Sequence, residues 1–114
     1  MHRFDGYDIE LTAGDSLLFF VSLEGRELPE NAVAIFTLKR NPKDDEALIE
    51  KEIPVRDGRV EIKLDSEETD LPARTYYWDL RTKFSTEEFG EEVETPMEYA
   101  AFTILQPVGD VNGG

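Results

Sequence analysis

The sequence predicts an all-β domain, an antiparallel β-sandwich of about seven short strands. Three observations carry this prediction. Apolar residues recur with period two along most of the chain, an Asp57-Gly58 pair separates two such runs, and no segment longer than one turn has a helical pattern.

In order, Asp8-Ile9-Glu10-Leu11 alternates and forms the first strand. Leu17, Phe19, Val21 and Leu23 are the apolar set of a second. Ala34, Phe36 and Leu38 mark a third, bounded by Pro29 and Pro42. Ile49, Lys51, Ile53 and Val55 make a fourth, where Pro54 cannot donate to a ladder and implies an edge or a bulge. Asp57-Gly58 then gives a hairpin turn, because both central positions of the favoured two-residue turn need positive φ. The fifth strand, Val60-Glu61-Ile62-Lys63-Leu64, alternates strictly. Ser66 to Asp70 is at most one helical turn. Tyr76 to Arg81 and Tyr99 to Ile104 are the sixth and seventh strands.

Alternation also sorts the faces. Val60, Ile62 and Leu64 go inward, as do Tyr76, Trp78 and Leu80, and then Ala100, Phe102 and Ile104. Tyr76 and Trp78 are the structural aromatics, and the indole N–H of Trp78 needs one partner when buried. Residues 1–108 read as a single sandwich domain and 109–114 as a flexible, Gly-rich C-terminal tail.

Charge narrows the classes of function. With 26 acidic and 12 basic residues among 114, the net charge is −14, which repels phosphate, so no nucleic-acid partner is expected. Residues 1–83 hold 19 acids and all 12 bases, a net of −7. Residues 84–114 hold seven acids and no base, another −7, which would suit a basic protein partner. The most apolar run, Leu17 to Val21, is far short of the ~20 residues of a membrane helix and lacks a basic leader. Neither a membrane partner nor a signal peptide is expected. Cysteine is absent, so disulfides and thiolate chemistry are excluded.

Leu71-Pro72-Ala73-Arg74-Thr75-Tyr76 resembles the tyrosine corner of immunoglobulin-like Greek-key sandwiches, with Arg74 where that motif has Gly. A longer resemblance runs over residues 7–108. Its residues are Asp8 to Leu17, the Phe-rich strand after it, Asp57 to Leu64, Asp70 to Leu80, Ala101 to Ile104 and Val108. In this order they are similar to the immunoglobulin-like domains of phage tail and baseplate proteins, typified by the N-terminal domain of a baseplate upper protein. The resemblance implies a structural, non-catalytic module that attaches other tail components, usually within an oligomer. It also implies a place in a phage virion, assembled in a bacterial cytoplasm, or a prophage origin. The acidic segment 85–95 departs from the family pattern and reads as a loop inserted between the last two strands.

No enzyme is expected. His2 is the only histidine and stands at the chain start, which removes histidine triads and multi-histidine metal sites. Phosphate loops, nucleophile elbows and dinucleotide fingerprints are also missing from the sequence. Asp79 reads as an outward strand charge paired with Arg81 or Lys63. Glu87 to Glu94 offers oxygens to calcium but lacks the ligand spacing of a calcium loop, so neither metal nor cofactor is expected. The informative residues are apolar ones on outer faces. Val33, Ile35, Tyr77, Tyr99 and Ala101, with Phe89 in the acidic segment, form the candidate interaction face, and Leu18 and Phe20 also point outward. A protein partner or a second copy of the chain is the expected occupant. The alternatives are a glycan stacked on Tyr77 and Tyr99, or an accessory domain of a larger secreted or surface protein.

Overall fold

The computed structural model describes residues 3–5, 7–23, 28–88 and 90–107. These form eight strands and no helix: β1 Arg3–Asp5, β2 Asp8–Thr12, β3 Leu17–Ser22, β4 Val33–Lys39, β5 Ile49–Pro54, β6 Arg59–Leu64, β7 Arg74–Thr86 and β8 Gly90–Leu105. They make a six-stranded sheet, ordered β1-β2-β8-β7-β4-β5, and a two-stranded sheet, β3-β6. The expected tail at 109–114 lies outside the described residues, as does His2.

The fold is all-β, but three details of the sequence reading are corrected. The large sheet is mixed rather than antiparallel, because β2 runs parallel to β8 with Ile9 opposite Phe102. Alternation reports which face a residue takes and not the direction of its neighbour. An eighth strand exists because Arg3–Asp5 folds back on β2. The acidic segment 85–95 is not a loop. β7 and β8 run on through it as a hairpin, from Lys83 opposite Val93 to Thr86 opposite Gly90. Gly90, at φ 72°, takes a conformation open to glycine at little cost.

The glutamates that suggested a loop instead mark an open edge. β2 pairs with β8 only from Phe102 to Leu105, so among the described residues the Gly90 end of β8 has β7 on one side and no strand on the other. Glu91, Glu92, Glu94 and Glu98 with Pro96 occupy this stretch. Charge and proline are the usual protection of an exposed edge against pairing with another chain.

The inward residues follow the alternation. Leu17, Phe19 and Val21 of β3 and Val60, Ile62 and Leu64 of β6 pack against Phe36, Leu38, Tyr76, Trp78, Leu80, Phe102 and Ile104 in one core. Ala100 packs at its margin, partly buried. Trp78 sits at the centre, edge-on to Phe19 at 5.5 Å between centroids and tilted against Phe36 at 5.6 Å. Its Nε1–H donates to the Tyr7 carbonyl at 3.0 Å, which satisfies the one polar atom of a side chain that is 1% exposed.

Two connections fix the crossing between sheets. Asp57 at φ 54° and Gly58 at φ 71° form the tight turn from β5 into β6, closed by paired Arg56 and Arg59. β5 thereby ends on the edge of one sheet and β6 opens the other. The return path, 65–73, begins with a single turn in which Glu68 N–H donates to Asp65 Oδ1 and Asp65 N–H to Glu68 Oε1. Thr69 is buried, and its hydroxyl donates to the Asp15 carbonyl at 2.7 Å. The path closes where the Tyr76 hydroxyl donates to the Pro72 carbonyl at 2.7 Å. Arg74, where a glycine was the family expectation, needs no special backbone. Among the described non-glycine residues only Asp57 has positive φ. Its guanidinium lies 5.4 Å from the centre of the Tyr76 ring and donates to the Arg40 carbonyl.

Candidate interaction face

The outer face of the large sheet is built from the odd-numbered residues of β4, β7 and the end of β8. Register sets their neighbours: Tyr77 lies opposite Ala101 on one side and Lys39 on the other. Asp79 lies opposite Thr37, Ile35 opposite Arg81, and Val33 opposite Lys83. β5 extends the rows with Glu52 beside Ile35 and Pro54 beside Val33.

These positions make the candidate residues a divided set. Tyr77, Tyr99 and Ala101 form an aromatic end, with Tyr99 58% exposed and the other two half-buried. Val33 and Ile35, both half-buried, lie toward the hairpin among Arg81, Lys83 and Glu52. Phe89, the remaining member, lies outside the described residues. Charged neighbours in the register therefore interrupt what the sequence presented as one apolar patch.

At the aromatic end the geometry is specific. The rings of Tyr77 and Tyr99 stand 5.6 Å apart at 89°, so they form a corner rather than a flat platform. Two register shifts put extra residues on β8, one between the Trp78–Ala100 and Leu80–Met97 pairs and one before Glu94. Tyr99 falls in the first of them, where the local twist re-aims a side chain.

Asp79, next on the same face after Tyr77, is not paired as expected. Lys63 belongs to β6 in the other sheet. Arg81 is exposed and makes no ion pair with Asp79, whose Oδ1 is buried without a hydrogen-bond partner. Same-strand spacing of two puts Asp79 and Arg81 on one face but some 7 Å apart along the strand. A carboxylate oxygen taken from water without a donor costs stability, so it is an anomaly on a sheet face.

A second surface lies where the sequence had placed Leu18 and Phe20 outward. Leu18 and Phe20, 51% and 50% exposed, form the outer face of the two-stranded sheet opposite Lys63 and Glu61. The Arg59 guanidinium lies 4.8 Å from the centre of the Phe20 ring. Where β5 and β6 diverge, a groove of about 360 Å³ is lined by Phe20, Ile53, Pro54, Arg56, Asp57, Arg59 and Glu61. Alternation had marked Leu18 and Phe20 as outward, but the groove depends on which sheet each strand joins. Lys51 lines a separate hollow with Ile53, Glu61 and Lys63, and it donates to the Lys63 carbonyl at 2.8 Å and pairs with Glu68 at 2.7 Å.

Among the described residues, no three carboxylate or imidazole groups gather closely enough to hold a metal ion, and no helix is long and apolar enough to cross a membrane. Compared with known proteins, the chain matches no family model, no curated protein and no solved structure.

Proposed function

We propose that the chain is a non-catalytic, immunoglobulin-like Greek-key module that works by protein–protein packing, as a component of a phage tail or baseplate. Two features support the immunoglobulin-like assignment. β3 and β6 form one sheet and β4, β7 and β8 lie in the other, the partition of the B–E and C–F–G strands of such domains. The crossover into β7 is closed by the tyrosine-to-backbone bond that defines their corner. The phage setting rests on the order of motifs along residues 7–108 of the sequence.

The observation that carries an interaction role is the outer face of the large sheet. A free sheet face is ordinarily polar, yet this one presents Tyr99 more than half exposed beside Tyr77 and Ala101. The test is sedimentation velocity of the chain over a wide concentration range, with Tyr99→Glu alongside. Concentration-dependent assembly that Tyr99→Glu abolishes supports packing of copies through this face. A strict monomer whose face stays fully exchangeable at the highest concentration removes self-association and leaves only a different protein as partner.

A further inference from the structure

We infer that the Tyr77–Tyr99 corner is a receiving site for one cationic side chain, lysine or arginine, presented by a protein partner, with Asp79 as its counter-charge. The inference rests on the interaction role proposed for this face and names the chemistry of what docks there.

Three observations converge. The two rings stand at 89° and 5.6 Å, so a group entering the corner meets one ring through its face and the other at right angles. The negative face of an aromatic ring attracts a cation within ~6 Å of its centroid. Asp79 occupies the next outward position after Tyr77, opposite Thr37, and its Oδ1 is buried with no donor. Oδ1 itself is closed to solvent, so a cation arriving from outside meets the other oxygen of this partly exposed residue.

Among the described residues no cation of the chain pairs with Asp79, Lys39 opposite Tyr77 included. Arg81 is exposed on the same strand and makes no ion pair with Asp79. A partly exposed carboxylate without an ion pair, one outward position along the strand from Tyr77 on a chain of net charge −14, is complementary to a cationic donor from outside. A neutral sugar would find hydroxyl acceptors here, but perpendicular rings give no flat platform on which successive sugar rings could stack. A second copy of the chain is a poorer source of the cation, because two copies together carry −28 and repel over most of their surface.

The experiment titrates the full chain with three blocked tripeptides, acetyl-Gly-Arg-Gly-amide, acetyl-Gly-Lys-Gly-amide and acetyl-Gly-Gln-Gly-amide. Binding is read from backbone and aromatic NMR signals at physiological salt. The cationic peptides are expected to give saturable shifts at Tyr77, Asp79, Tyr99 and Ala101, and the Gln peptide none. Asp79→Asn should weaken the Arg peptide about tenfold, the size of a lost charge-assisted bond. Tyr99→Leu should weaken it as well. Because Tyr99→Leu could disturb the β8 bulge, the Trp78 indole signal is checked in each variant, and if it moves the Asp79→Asn result decides alone.

Shifts that gather on Glu87, Glu88 and Glu91 instead would overturn the inference, since any polyanion attracts cations. So would equal binding of the Gln peptide, unchanged affinity in Asp79→Asn, the absence of shifts, or saturable binding of maltohexaose at the same residues. Sedimentation of the same samples keeps the two readings separable. Cation binding without assembly leaves the site standing and removes self-packing, whereas assembly without cation binding does the reverse.

Discussion

Replacing Tyr76 by Phe tests the joint that closes the crossover between the two sheets. The ring is 1% exposed and would stay in place, so the substitution removes only a hydroxyl. That hydroxyl donates to the Pro72 carbonyl at 2.7 Å. Pro72 itself is exposed, so its freed carbonyl gains water and does not carry a full desolvation penalty. The loss should therefore be the net worth of one good hydrogen bond, about 1–1.5 kcal/mol, and not the ~3 kcal/mol of a buried orphan. For 114 residues, unfolding entropy is about 0.24 kcal/mol/K, so the melting temperature should fall by about 4–6 °C. Urea unfolding followed by Trp78 fluorescence measures the loss, with the slope of free energy against urea unchanged. Tyr76→Ala, which also empties the core position, should cost about 3–5 kcal/mol. A Tyr76→Phe loss below ~0.3 kcal/mol, or one as large as that of Tyr76→Ala, would refute this account of the corner.

Trp78→Phe should cost about 2–3 kcal/mol, because it leaves a void beside Phe19 and Phe36 and frees the Tyr7 carbonyl. Circular dichroism reads that variant, since the chain's single Trp is gone. Gly58→Ala should lose about 1 kcal/mol through its φ of +71° alone, as no atom lies within 4 Å of the added Cβ. Gly58→Asn should recover most of that in thermal melts; a loss equal to that of alanine would point to a cause other than backbone conformation. Asp79→Thr should raise stability by about 0.5–1 kcal/mol, since it removes an unpartnered carboxylate oxygen and adds a residue that suits strands. A destabilised Asp79→Thr in the same melts would mean that the carboxylate is satisfied in solution.

Much of the fold was legible because period two is a local property. The strands containing Val60, Ile62 and Leu64 or Tyr76, Trp78 and Leu80 declare their buried side through their immediate neighbours, and all six residues are buried. Asp57-Gly58 was equally local, since the turn demands positive φ from two adjacent residues. The hairpin through 85–95 was misread because glutamates are poor strand formers by composition. They are tolerated there, since one side of the ladder is already supplied by β7.

The candidate face was legible only as a set of outward residues. Alternation placed Tyr77 and Tyr99 outside, but their right-angle contact joins two strands at a register shift on β8, which no single segment reveals. The pairing expected for Asp79 failed for a related reason. Sequence neighbours two apart share a face without touching, and Lys63 joined the other sheet.

By itself the sequence determined an acidic, cysteine-free, all-β chain, and it determined which side of most strands is core. These follow from side-chain chemistry and a two-residue repeat, both readable one segment at a time. Only the tertiary structure decided that β2 lies parallel to β8, that β5 and β6 part into different sheets to leave a groove, and that Oδ1 of Asp79 is buried without a hydrogen-bond partner among the described residues. Each of these depends on contacts between residues distant in the chain, where direction and register are fixed by the packing of the whole core and by no single segment.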